Sequence, residues 1–224
     1  MSEQATRASV IRHSIGVAVA TGTYGVSFGA VSVTGGFSVW QTCALSLLVF
    51  TGASQFALVG VVASGGNPIS GALSAILLGS RNTLYGLRVA PLLGLRGWRR
   101  VLHAHALIDE STAMSIAQPT AELARTGFLT TGWAIFALWN AATLLGAVGG
   151  DAIGDPRTYG LDAAVGAAFL ALLWSRLSGP TERLAAIAAA ALALGLVPVT
   201  TPGVPVLAAV AVALAFGARR RAQR

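Results

Sequence analysis

Arg81-Asn82 stands inside a stretch that would otherwise pass for membrane-spanning helix, and it restricts the fold more than any other feature of the chain. The run Ala75-Ile-Leu-Leu78 leads straight into Gly79-Ser-Arg-Asn-Thr-Leu-Tyr85. Upstream, Leu45 to Phe50 leads in the same way into Thr51-Gly-Ala-Ser-Gln-Phe56. An arginine at the centre of a spanning helix costs about 2.5–3.5 kcal/mol on insertion scales. Residues of this kind face a bundle interior or a watery path. The cluster therefore predicts a polar route through a membrane protein.

Composition supplies the class. Hydrophobic residues make up 54% of the chain and charged residues 10%, against about 25% charged in a soluble domain. So little charge could not cover a globule. The apolar runs are continuous and lack the alternation of barrel strands. The expected fold is all-α, a polytopic transmembrane helix bundle, with broken or re-entrant helices in its first half. All 15 basic residues are arginine and the net charge is +7. In a soluble protein that sign would raise nucleic-acid binding; here it points to arginine-enriched cytoplasmic loops. The single cysteine, Cys43, excludes an internal disulfide and reads as a small packing residue.

A span needs about 20 apolar residues. The expected segments are Ser14–Val33, ended by Gly35-Gly36; Val39–Ala63, with Gly52 and Gln55 in its middle, stopped by Ser64-Gly-Gly-Asn-Pro68; and Ile69–Leu93. The basic stretch Arg96–Arg100 and a weakly apolar segment, Val101–Gln118, follow. The second half offers Phe128–Val148, a loop from Gly149 to Pro156, Leu161–Leu177, a loop from Ser178 to Arg183, then Leu184–Val197 and Val204–Phe216. Residues 1–13 form a cytoplasmic segment, 14–217 a single transport domain and 218–224 a basic cytoplasmic tail. Arg7 and Arg12 before Ile15–Ala20 mimic a signal peptide, but the apolar core before Ala18-Val-Ala20 is short, and the expectation is an uncleaved first span.

Arginine placement puts both termini in the cytoplasm, Arg125, Arg176 and Arg183 inside, and Asp151 and Asp155 outside. Three plain spans from an inside start would leave Arg96, Arg99 and Arg100 outside. The conflict disappears if Val39–Ala63 is a re-entrant hairpin and Val101–Gln118 also fails to cross. Broken backbone at membrane depth is tolerated only where protein or a water-filled cavity satisfies it. The segments whose crossing is in doubt are the ones that carry polar residues.

On a helix Arg81, Tyr85 and Arg88 share a face, with Asn82 beside it. Arg81 meets either a substrate carboxylate or a structural partner, Asp109 or Glu110; Arg88 snorkels to the interface. Gly52, Ser54 and Gln55 either unwind a helix and aim its N-terminal dipole at an anionic group, or pack closely, with Gln55 as an interhelical hydrogen bond. Asp109 and Glu110 are either a proton-coupling site or a solvated pair complementing Arg96–Arg100. His105 precedes Asp109 by four residues, on the same face if helical. Gly25 and Gly29, with Thr21, form a small-residue packing stripe, against this chain or a partner subunit. Ser54 with His103 or His105 does not make a hydrolase, since nothing specifies an oxyanion hole. No phosphate-binding loop motif or metal-ligand spacing occurs, and no cofactor is expected.

Val49-Phe-Thr-Gly-Ala-Ser-Gln-Phe-Ala57, Gly65-Gly-Asn-Pro68, Ser80-Arg-Asn-Thr-Leu-Tyr-Gly86 with Ala90-Pro91, and His105-Ala-Leu-Ile-Asp-Glu-Ser111 together resemble the AzlC family of branched-chain amino acid permeases. The resemblance covers roughly Gly22–Ser115; the family pattern places Asn before Arg, whereas the order here is Arg81-Asn82. It implies the large subunit of a two-component exporter of valine, leucine, isoleucine and methionine in the plasma membrane, with a small AzlD-like membrane partner. The substrate would meet Gly52, Ser54, Gln55, Arg81, Asn82 and Tyr85, and Asp109 and Glu110 would couple protons. The competing readings are a transporter of another small solute and a non-transporting assembly or sensory subunit.

Overall fold

The computed structural model describes residues 6–153, 170, 173–174, 177–201 and 204–222, and every regular element among them is a helix. Helices α1 (Arg7–Gly22) and α2 (Tyr24–Thr34) continue one another through Thr23. Next come α3 (Val39–Leu48), α4 (Ala53–Ala63), α5 (Pro68–Gly79), α6 (Arg81–Leu93), α7 (Gly97–Ala104), α8 (Asp109–Ile116) and α9 (Ala121–Ile153). The last two are α10 (Pro180–Leu196) and α11 (Val204–Ala222), which pack on each other. Arg7–Thr34 and Ala121–Ala152 are long and apolar enough to cross a membrane.

Those two long helices run parallel and touch along most of their length. A side chain at Gly22 would meet Leu138, one at Gly25 would meet Trp139 and Ala142, one at Gly29 would meet Thr143 and Ala147, and one at Gly150 would meet Ala30. Backbones this close exclude every side chain larger than hydrogen, the small-residue packing that drives helix association where the hydrophobic effect is weak. The glycine stripe predicted on the first helix therefore packs within the chain.

With α9 as a ruler, the other elements can be placed by depth. Ser38 starts α3 beside the end of α2, capping it through a 3.2 Å bond from Gln41 N–H. Thr42 then donates to Ser32 (2.8 Å) and Ser46 to Thr143 (3.3 Å). Phe50 reaches Phe136, their ring centres 5.1 Å apart. There the helix breaks: Gly52 has φ +61°, where a Cβ is strained. Helix α4 turns back, Phe56 packing edge-on to Phe28 at 5.4 Å, until Ala63 lies against Gly35. The pair α3–α4 enters and leaves by the same end, with its tip at mid-depth. Ten or eleven residues per arm at 1.5 Å each give about 15 Å, half a hydrocarbon core of about 30 Å.

Asn67 caps α5, with Pro68 in its first turn. Gly71 lies against Leu58 and Gly79 against Ser54, so α5 runs antiparallel to α4 down to the same tip. After Ser80, α6 carries the chain on to the opposite end. There Gly94 closes the helix in the left-handed region (φ +59°), and Arg125 Nε donates to the Leu93 carbonyl at 2.8 Å. Arg96, Arg99 and Arg100 thus share an end with Arg7, Arg12 and Arg125. From that end α7 climbs until Trp133 donates to His103 (2.9 Å) and Ala106 rests on Gly132. The chain turns, and α8 descends until Met114 lies against Gly127. Helices α7 and α8 form a second, shorter hairpin, entering from the arginine-rich end. Both segments expected not to cross turn back.

Several expected boundaries move. The first helix begins at Arg7, where Thr6 and Ser9 cap each other reciprocally. Helix α9 starts at Ala121 and runs through Gly149-Gly150, which composition marks as loop, because Gly150 is a packing contact with Ala30. Helix α10 begins at Pro180, inside the expected loop, with proline in its first turn. Helix α11 extends to Ala222, so part of the basic tail is helical. The expected span Leu161–Leu177 lies for the most part outside the described residues, as do Asp155 and Arg176.

Candidate functional site

The two hairpin tips meet. His105, at the turn between α7 and α8, hydrogen-bonds through Nε2 to the Leu47 carbonyl of the other hairpin at 2.8 Å. A carbonyl only accepts, so Nε2 carries the hydrogen. Phe50 and Phe136 flank the His105 ring at 6.1 and 5.4 Å. Two half-helices, α4 and α8, therefore begin at mid-depth and point away from it in opposite directions. Helix N-termini present free N–H groups and partial positive charge. The α4 terminus has no side-chain cap; α8 opens with Asp109 and Glu110, whose charge suits that end of the dipole.

Arg81, the first residue of α6, lies where the spanning segment breaks at Ser80, and its guanidinium contacts the Asp109 carboxylate at 2.8 Å. The side chains are 33% and 24% exposed, so the pair is shielded but reachable. Asp109 is thus one of the two partners open to Arg81 that the structure brings to it. Asn82 donates to the Leu107 carbonyl at 3.0 Å, bracing the second hairpin against α6. Tyr85, half-buried, follows one turn after Arg81, and Arg88 is exposed. Glu110 is half-buried beside Asp109.

On the α4 side Ser54 and Gln55 are fully enclosed, at 1% and 0% exposure. Gln55 Nε2 donates to the Leu45 carbonyl at 3.2 Å, tying the two arms of its hairpin together. Its Oε1 has no partner, and neither do Ser54 Oγ, Thr51 Oγ1, Asn82 Oδ1 and Trp139 Nε1. A buried polar atom left unpaired costs about 1–3 kcal/mol, and native interiors contain few. Here several gather at one depth, between the hairpin tips and the break in α5–α6. Ser54 Oγ lies 3.2 Å from where a Cβ on Gly79 would stand, so α5 approaches that hydroxyl closely.

The predicted residues Gly52, Ser54, Gln55, Arg81, Asn82, Asp109 and Glu110 all lie at or beside the hairpin tips and the helix break. The expected His105–Asp109 face does not form, because Ile108 is extended (φ −129°, ψ 176°) and separates them onto different helices. His105 bonds the first hairpin and Asp109 bonds α6. Phe50, Trp133 and Trp139 join the site with no signal in the sequence beyond their apolar character. The His103–Trp133 bond spans 30 residues and has no local signature. Among the described residues no group of His, Cys, Asp and Glu could hold a metal ion.

Comparison with known proteins places the chain among membrane proteins. The family model described as AzlC protein matches residues 16–153, the span from α1 to α9. The chain is 34% identical over 181 residues to an uncharacterized membrane protein of Archaeoglobus fulgidus, covering 80% of each. It is 30% identical over 192 residues to the inner membrane protein YgaZ of Escherichia coli, covering 80% of this chain and 76% of that one. A membrane protein of Helicobacter pylori is 24% identical over 174 residues, covering 76% and 75%. No solved structure matches. The two re-entrant hairpins and the site between them fall wholly within the matched span, and the chain belongs to the AzlC family.

Proposed function

We propose that this membrane transporter-like protein is the large subunit of a secondary exporter of branched-chain amino acids, working with a small AzlD-like membrane partner in the plasma membrane, both termini cytoplasmic. The observation that carries the reading is the set of buried, unpartnered polar atoms at mid-depth, Gln55 Oε1 and Ser54 Oγ foremost, beside the reachable Arg81–Asp109 pair. Substrate binding sites formed where broken helices start are a recurrent transporter device.

In this mechanism the substrate carboxylate takes the place of Asp109 on the Arg81 guanidinium, a bidentate match of fork to fork. The α4 N-terminus donates to the outer carboxylate oxygen, Ser54 Oγ and Gln55 Oε1 accept from the ammonium group, and Phe50 and Phe136 surround the hydrocarbon. Asp109, released from Arg81, accepts a proton, with Glu110 beside it. The substrate carboxylate and Asp109 thereby compete for one guanidinium, which links substrate binding to the protonation of Asp109.

The test is export from cells loaded with valine- or leucine-containing dipeptides. With the chain and its small partner present, the rate of appearance of the free branched amino acid outside is expected to rise at least tenfold over cells lacking the chain. No rise for valine, leucine, isoleucine or methionine would refute the substrate assignment, and a rise for another solute would name its replacement.

A further inference from the structure

A cavity of about 150 Å³ lies between α6, α7 and α9, on the arginine-rich side of the hairpin tips. It is apart from the Arg81–Asp109 pair, although Leu107, whose carbonyl receives Asn82, forms part of its wall. The wall is mostly hydrocarbon, with Val89, Leu93, Leu107 and Phe128 prominent. A cavity of about this size holds a benzene-sized guest. It has room for a branched chain of four or five carbons.

Two polar groups line it, and both favour an anion. His103 Nδ1 accepts the Trp133 indole N–H at 2.9 Å. An indole only donates, so this nitrogen carries no hydrogen; the ring is neutral and its Nε2–H remains as a donor. Arg100, exposed, supplies a guanidinium on the rim. Among the described residues no Asp or Glu lines the cavity, so an ammonium group would find no carboxylate counter-charge among them.

From this we infer that the cavity binds a small branched aliphatic carboxylate. The hydrocarbon lies among Val89, Leu93, Leu107 and Phe128, and the carboxylate meets His103 Nε2–H and the Arg100 guanidinium. This rests on the transport reading only in making the cavity a station on the solute's route from the arginine-rich end. Because nothing in it answers an amino group, 4-methylpentanoate, which is leucine without its amino group, binds at least as tightly as leucine.

The experiment is equilibrium binding of radiolabelled 4-methylpentanoate to the purified full chain in neutral phosphatidylcholine nanodiscs, with leucine as competitor. Ala90→Leu, which fills the cavity, is expected to weaken binding at least tenfold. Arg100→Gln, at an exposed position that leaves packing intact, is expected to weaken it at least fivefold. Binding unchanged in both variants overturns the assignment, as does complete displacement by phosphatidylglycerol in the disc, which would make the cavity a lipid groove. Binding by a wild-type chain that exports no amino acid would uphold the cavity and refute the exporter. Export with binding indifferent to both variants would do the reverse.

Discussion

Arg81→Ala is expected to abolish export and to destabilise the protein by about 3 kcal/mol, the low end of the cost of stripping one partner from a buried ion pair. The low end applies because water reaches part of both side chains. The Asp109 carboxylate is left at mid-depth without its guanidinium. Asp109→Asn removes the opposite charge and is expected to lose export at least a hundredfold while keeping more stability, since the amide still accepts a hydrogen bond from Arg81. The informative variant is the double, Arg81→Met with Asp109→Asn. It removes both charges, so its folded yield and thermal midpoint in detergent are expected to recover above those of Arg81→Ala, as apolar replacement of buried pairs commonly allows. Its export stays at background. A double variant that folds and exports like wild type would reduce the pair to a structural contact and remove the coupling scheme with it.

Gly29→Val is expected to prevent folding outright. A Cβ there would stand on the Thr143 carbonyl and 2.6 Å from the Ala147 nitrogen, both backbone atoms of α9 that cannot swing away. Forcing one methylene into a packed interior costs about 1–3 kcal/mol, and valine adds three carbons where α2 and α9 meet. The contact cannot relax locally, because Gly25 and Gly146 hold the same two helices equally close. Gly16→Ala is the matched control: nothing lies within 4 Å of its new methyl group. It is expected to be neutral or to stabilise by up to about 1 kcal/mol, the helix-propensity gain over glycine. Monodisperse yield by fluorescence-detected size exclusion separates the two.

The parts of this fold that were legible in the sequence are those set by local chemistry. Gly35-Gly36, the Gly65-Gly-Asn-Pro68 run and Gly52 interrupt helices because glycine backbone or a proline-bearing cap does so wherever it occurs. The two re-entrant segments were legible for a different reason. Arginine placement conflicts with three plain spans, and two segments that turn back bring Arg96–Arg100 to the end that holds Arg7 and Arg125. What stayed illegible is what those hairpins do to one another. His105 and Asp109 are spaced to share a helical face, yet extended Ile108 sends one to Leu47 and the other to Arg81. Pairings across such separations depend on how deep each tip reaches, which no local pattern encodes. Glycine also misleads when it serves packing. Gly149-Gly150 reads as a loop, but Gly150 lets α9 pass Ala30 and the helix continues.

The opposed entry of the two hairpins is most directly tested by labelling single cysteines, in a Cys43→Ser background, with a membrane-impermeant maleimide. Ser38→Cys and Ser64→Cys mark the two ends of the first hairpin, and Arg96→Cys and Ala117→Cys those of the second; all four positions are exposed. In intact cells the first two are expected to label and the second two to label only after permeabilisation. Labelling of Ser38→Cys and Ser64→Cys from opposite faces, or of Arg96→Cys and Ala117→Cys from opposite faces, would turn a hairpin into a full crossing and contradict the account.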